Sequence, residues 1–195
     1  MKERIVRLFD EHARLQKEFL KHNADALAKV AEVFLDAFRK GRTVHFFGNG
    51  GSAADAQHLA AEYVNRFKLN RRALPALALT VDTSVITSIA NDFGYERIFA
   101  RQIEALGRPD DVAVGLSTSG ASPNVIAGIR QARSQGLVTV GFSGGDGGQL
   151  VRECDHVVVV PSNGTARIQE IQLLCGHVIC DIVEQDLLHP NRETQ

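Results

Sequence analysis

A doubly wound α/β domain with a pair of helices at its N-terminus is what this 195-residue chain predicts. Five short apolar runs recur along it, nearly continuous in apolar character, as strands covered on both faces are. Helical stretches separate the runs, giving the βαβα order of a parallel sheet. The first 40 residues contain no such run and show helical spacing instead.

Taken in order, "ERIVRLFDEHARLQKEFLKH" places Ile5, Leu8, Phe9, His12, Leu15, Phe19 and Leu20 near helical spacing. "ADALAKVAEVFLDAFRKG" does the same and stops at Gly41, a C-cap, after Arg39 and Lys40. The strands follow as "TVHFFG" (43–48), "PALALTV" (75–81), "DVAVGLS" (111–117), "LVTVGFS" (137–143) and "HVVVVP" (156–161). Helices are predicted over 52–66, 83–106 with an interruption near Asn91 to Gly94, 123–135, 147–153 and about 165–188. Residues 1–195 form one domain, with helices over 1–40 and an α/β core over 41–190; the tail "HPNRETQ" reads as loose.

Bulk composition narrows the function. Apolar residues make up 44% and charged residues 23%, as in ordinary globular proteins, and the formal charge is −1. No basic surface announces nucleic acid or an acidic membrane. The opening "MKERIVRLFDEHARLQKEFL" is charged throughout, unlike a signal peptide, and no run of 18 apolar residues exists. A cytoplasmic location is expected. Cys154, Cys175 and Cys180 lack C-x-x-C spacing and read as reduced thiols, the last two in a helical core.

In parallel sheets ligands bind beyond the carboxyl ends of strands, near the point where strand order reverses. After the first strand comes "GNGGS", where Ser52 reads as an N-cap and Asp55 as its capping-box-like partner. Gly50 and Gly51 allow close backbone approach, and a helix start offers free N–H groups to an anion. After the third strand comes "STSGASPNV", with Ser122 as N-cap and Pro123 at the first helical position. Four hydroxyls, Ser117, Thr118, Ser119 and Ser122, surround this second helix start. Two such turns in one sheet suit a phosphate monoester better than plain capping. Gly48, Gly50 and Ala53 also fit a dinucleotide fingerprint, but Asp82 lies 32 residues beyond Gly50, past the usual spacing of about 20. That reading also leaves the serine turn unexplained, so no nucleotide cofactor is expected. A P-loop is absent.

His58 and Glu62 stand four residues apart, on one face of the helix that the glycine turn opens. Their spacing suits a metal ion, proton transfer, or a solvated pair without chemistry. On the last helix, Gln169 and His177 are about 12 Å apart along the axis and about 80° around it. Either both stretch toward one point, or different chains of an oligomer supply them.

Together "GNGGSAADAQHLAAE", "ANDFGYE", "STSGASPNV" and "RIQEIQLLCGH" resemble the phosphoheptose isomerases, within the sugar isomerase (SIS) domain superfamily. The likeness spans nearly the whole chain. It implies a single SIS domain: a five-stranded parallel sheet of flavodoxin-like order in a three-layer αβα arrangement. It also implies a homotetramer, packed through the N-terminal helices, with active sites between subunits. The implied reaction converts sedoheptulose 7-phosphate to D-glycero-D-manno-heptose 7-phosphate through a cis-enediol, the first step toward ADP-heptose and the lipopolysaccharide core. Carried over by position, Asn49, Gly50, Gly51, Ser52, Glu62, Asn91, Asp92, Ser117, Thr118, Ser119, Ser122 and Gln169 would bind substrate. Glu62 and His177 match the acid–base pair, and His58, Glu62, Gln169 and His177 match a zinc site of some members. A related non-catalytic adaptor that binds the replication initiator DnaA is the alternative, since "MKERI", "RALPALALTVDTSVITSIAND" and "ARIQE" resemble it. An adaptor, however, has no need of Glu62, His177 and both turns together.

Overall fold

The computed structural model describes residues 1–189; of the tail read as loose, residues 190–195 lie outside the described part. All five predicted strands form and run parallel: β1 (Val44–Gly48), β2 (Ala76–Ala78), β3 (Val112–Leu116), β4 (Val138–Gly144) and β5 (His156–Val160). Their order is β2-β1-β3-β4-β5, the flavodoxin-like arrangement, with the switch point between β1 and β3. β1 and β3 are buried at every residue, as their continuous apolar character requires. β2 is shorter than its apolar run: it is an edge strand, and Thr80 and Val81 already turn toward the next helix.

The N-terminus departs from expectation. Residues read as a helical pair form one continuous helix, α1 (Lys2–Arg39). Neither glycine nor proline interrupts the proposed joint near His22. There Asn23 Nδ2 donates to the Phe19 carbonyl at 3.1 Å, within the helical path rather than across a turn. α1 ends at Gly41, where Gly41 N–H donates to Phe38 O and Arg42 N–H to Ala37 O, the paired bonds of a Schellman end.

The other helices are α2 (Gly51–Val64), α3 (Thr83–Phe93), α4 (Ile98–Leu106), α5 (Pro123–Ser134), α6 (Leu150–Glu153) and α7 (Thr165–Leu188); a 3₁₀ turn at Tyr95–Arg97 fills the expected interruption. Side chains alternate across the sheet. Val44, Phe46, Val112, Val114, Leu116, Val140 and Phe142 face α1, α2 and α7, while Phe47 and Ala113 face α4 and α5. The result is three layers around two apolar cores. Cys175 and Cys180 lie in the first core, where burial pushes their thiols up to about 12. No helix among the described residues is long and apolar enough to cross a membrane.

α2 and α7 each follow a parallel strand onto the same face, so they run side by side in the same direction. Gly176 makes their contact close: a β-carbon there would lie 2.3 Å from Leu59 Cδ2. That approach sets up the site.

Candidate active site

At the switch point the turns after β1 and β3 face each other. Gly50, not Ser52, occupies the cap position of α2, and no side chain caps that helix. Ser52 falls inside the first turn and is buried, so its reading as an N-cap is corrected. Asp55 is accordingly no capping partner. It sits half-buried, with Oδ2 lacking any hydrogen-bond partner in the protein. Burial pushes its carboxyl pKa up, against the opposing pull of His58. Three residues before His58 and seven before Glu62, Asp55 adds a second carboxyl to the same stripe of α2.

The serine turn opens α5 with Ser122 at the cap and Pro123 first in the helix, as expected. Ser122 does not cap through its side chain. Its Oγ lies 2.9 Å from Ser117 Oγ, which is 3.5 Å from Ser119 Oγ. Three hydroxyls are thus gathered at one helix start. Thr118 and Ser119 line a cavity of about 710 Å³ that continues past β4 and β5 to Gly145, Asp146, Ser162 and Thr165.

The two turns are joined by amides. Asn49 Nδ2 donates to Asn124 Oδ1 at 2.8 Å, and Asn124 Nδ2 donates to Asn49 Oδ1 at 2.8 Å. Tyr95 Oη also donates to Asn49 Oδ1, at 3.2 Å. Asn91 and Asp92, at the exposed end of α3, bond to each other at 2.8 Å. Neighbouring Tyr95 links their segment to the turns.

Further along α2, His58 and Glu62 meet His177 of α7. His58 Nε2 lies 2.8 Å from His177 Nε2 and 3.4 Å from Glu62 Oε1. One ligand atom from each of the three falls within 4.8 Å of the others. Two imidazole nitrogens aimed at each other beside a carboxylate form a donor set that fits zinc. Gln169 lies nearer the glycine turn: a β-carbon at Gly51 would stand 2.5 Å from its Nε2. The eight-residue gap to His177 is therefore spanned along α7, with Gln169 beside the turn and His177 beside the helix pair.

A strap of residues 65–72 closes the far end. Phe67 stacks on His177, with ring centroids 5.5 Å apart and planes at 25°. Glu184, below His177 on α7, accepts from the N–H groups of Phe67 (3.0 Å), Lys68 (2.6 Å) and Leu69 (2.6 Å). Arg71 Nε lies 2.9 Å from Glu184 Oε1, an ionic contact whose N–H is poorly aligned for a hydrogen bond. The guanidinium also donates to the carbonyls of Glu62 and Tyr63, both at 2.8 Å. Sequence reasoning missed Asn124, Tyr95, Arg71 and Glu184. Their partners lie far away in sequence, and no local spacing announces them.

The SIS domain family matches residues 7–144. A phosphoheptose isomerase from Roseiflexus sp. (strain RS-1) is 53% identical over 173 residues, 89% of this chain and 88% of that relative. The chain belongs to the phosphoheptose isomerases of the SIS domain family. A second phosphoheptose isomerase, from Paramagnetospirillum magneticum (strain ATCC 700264 / AMB-1), is 59% identical over 156 residues, 80% of this chain and 81% of that one. Among solved structures, phosphoheptose isomerase GmhA from Neisseria gonorrhoeae superposes with a TM-score of 0.88 at 39% identity, covering 94% of this chain and 98% of that one. The helix stripe with two carboxyls and a histidine thus lies beside a hydroxyl-lined turn: hydroxyls at a helix start at one end, titratable groups at the other.

Proposed function

We propose that this chain interconverts sedoheptulose 7-phosphate and D-glycero-D-manno-heptose 7-phosphate. The observation that carries the reading is the meeting of Glu62 and His177, 115 residues apart in sequence, beside two turns suited to phosphate. Each relative and close structural neighbour described above is named as an isomerase, and none lends support to the adaptor alternative.

The chemistry follows from the groups present. The phosphate docks on the hydroxyls of Ser117, Thr118, Ser119 and Ser122, with N–H groups of Gly50, Gly51 and Ser52 opposite and Asn91 and Asp92 at the rim. Gln169, beside Gly51, contacts the sugar between them. Glu62 takes the proton from C1 while His177 gives one to the C2 oxygen, forming the cis-enediol. Return of the carbon proton to C2 and loss of the O1 hydroxyl proton leave the aldehyde at C1. His58, Glu62, Gln169 and His177 would hold zinc, which when bound supplies Lewis-acid polarisation of a substrate oxygen.

Supporting the expected homotetramer, Ile5, Val6, Leu8 and Phe9 on α1 and Leu174, Val178 and Ile182 on α7 expose apolar surface, and α3 buries no side chain. The reading also places the reaction in the cytoplasm, as the first step toward ADP-heptose.

A direct assay with sedoheptulose 7-phosphate tests the reaction; no aldose formation from the purified protein overturns it. Stripping with a chelator should lower the rate at least tenfold and added zinc should restore it. An undiminished rate in metal-free protein would limit the metal to a structural part. Gly51→Ala should push the Gln169 amide aside at little cost to folding, because the flexible side-chain end can move. A fall of roughly tenfold in kcat/KM with the thermal midpoint held is expected. Unchanged kinetics would remove Gln169 from the site.

A further inference from the structure

Asn49 stands in the turn where a substrate-contacting side chain is expected, yet its amide oxygen is already taken and one of its two N–H groups is committed to Asn124. Asn124 Oδ1 accepts the Val125 N–H at 2.9 Å, so that atom is the oxygen and the other is the donor. This fixes the sense of the pair. Asn49 gives an N–H to Asn124 and takes one back, both at 2.8 Å, and its oxygen receives the Tyr95 hydroxyl as a second donor. Both lone-pair directions of Asn49 Oδ1 are thereby filled. Asn124 is 3% exposed and sits second in α5, directly behind the serine turn.

We propose that Asn124 is a positioning residue: through Asn49 it locks the glycine turn after β1 to the serine turn after β3, fixing the width of the phosphate cradle. Asn49 then serves the ligand by where it holds the backbone N–H groups of Gly50 and Gly51 rather than by accepting a hydrogen bond from it. The lock spans the switch point, where two strands diverge and no ladder hydrogen bonds hold the turns together. Asn124 is buried, so a broken pair leaves unpartnered amide groups and a turn free to drift. A cradle that grips phosphate equally before and during the reaction contributes uniform binding. Its loosening therefore raises KM while sparing kcat.

The inference rests on the sugar-phosphate reading above, and a double-mutant cycle tests it. Asn49→Ala and Asn124→Ala should each raise KM for sedoheptulose 7-phosphate by about tenfold with kcat within about threefold. The double variant should be no worse than either single one, because each single change already opens the lock. Multiplying effects, or a loss confined to Asn49→Ala, would make Asn49 a direct ligand contact and overturn the proposal. A purely structural pair would lower the thermal midpoint and leave KM alone. Asn124→Ser, which retains a cap for Val125 N–H but is too short to reach Asn49, gives the same reading should the alanine variant fold poorly. Affinity for inorganic phosphate, measured by equilibrium dialysis on the same proteins, separates the two failures. If the wild type binds phosphate but does not isomerise the heptose, the reaction is wrong; the lock still stands if Asn124→Ala weakens phosphate about tenfold, and falls if it does not.

Discussion

Glu62→Gln is expected to reduce turnover of sedoheptulose 7-phosphate by about 10²–10⁴-fold, with KM changed little. The amide keeps the shape of the carboxylate and can still face His58, which lies 3.4 Å from Oε1. It cannot accept a proton from carbon. His58 and His177 are left paired at 2.8 Å, and neither imidazole replaces the carboxylate at its position. Because Glu62 is partly exposed on α2, assembly and thermal midpoint should be preserved. Zinc content must be measured in the same preparation, since the substitution also alters a proposed metal ligand. Zinc-replete Glu62→Gln protein with near-normal kcat would end the base assignment. Zinc-free protein whose activity returns with excess metal would shift the role of Glu62 from base to ligand.

Much of the fold was legible because its signals are local. "TVHFFG" and "DVAVGLS" are short, mostly apolar runs bounded by turn residues, as strands covered on both faces are. Pro123 after Ser122 marks the start of α5 without any tertiary information. The N-terminal helix is the counterexample. "HNAD" contains residues common at helix ends, but Asn23 folds back onto Phe19 and the helix passes through. Local chemistry permits both outcomes there. Contacts on both sides of the joint favour the continuous one: Leu27, Val30, Phe34 and Phe38 pack in the core, while His12 meets Glu170 and the Leu8 carbonyl accepts from Arg167 on α7.

The site divides along the same line. The spacing of His58 and Glu62 was readable, whereas their approach to His177 was not, because α2 and α7 meet through Gly176 and Leu59. Once the two helices lie parallel, the rest follows in rank. Gln169 stands beside Gly51, His177 beside His58, and Glu184 beside the strap that ends α2. Gln169 and His177 thus stand at successive levels of one groove between two helices. The alignment depends on how the strap is fixed at its far end.

Replacing Glu184 should be the most damaging change outside the catalytic groups. Its carboxylate is 1% exposed and Arg71 3%, and the carboxylate holds three consecutive backbone N–H groups. Glu184→Gln sets an amide NH₂ against those donors and strands a buried guanidinium. Breaking one partner of such a pair costs about 3–5 kcal/mol, a large part of the roughly 5–15 kcal/mol that holds a domain folded. A urea titration should show the midpoint falling accordingly; an unmoved midpoint would mean that the strap is not held by charge. Acid provides an independent check. Burial alone would raise the Glu184 pKa, but the N–H groups of Leu69, Phe67 and Lys68, with Arg71, outweigh it and hold the carboxyl below its usual value. A depressed folded-state value means that the stabilisation is complete above the unfolded carboxylate pKa of about 4.3 and is lost as pH falls through the folded value. Wild-type stability should therefore drop below about pH 4, while Glu184→Gln, already without that contribution, should show a flatter acid limb. The same substitution frees Phe67 from its place against His177, so kcat should fall even under conditions where the variant remains fully folded.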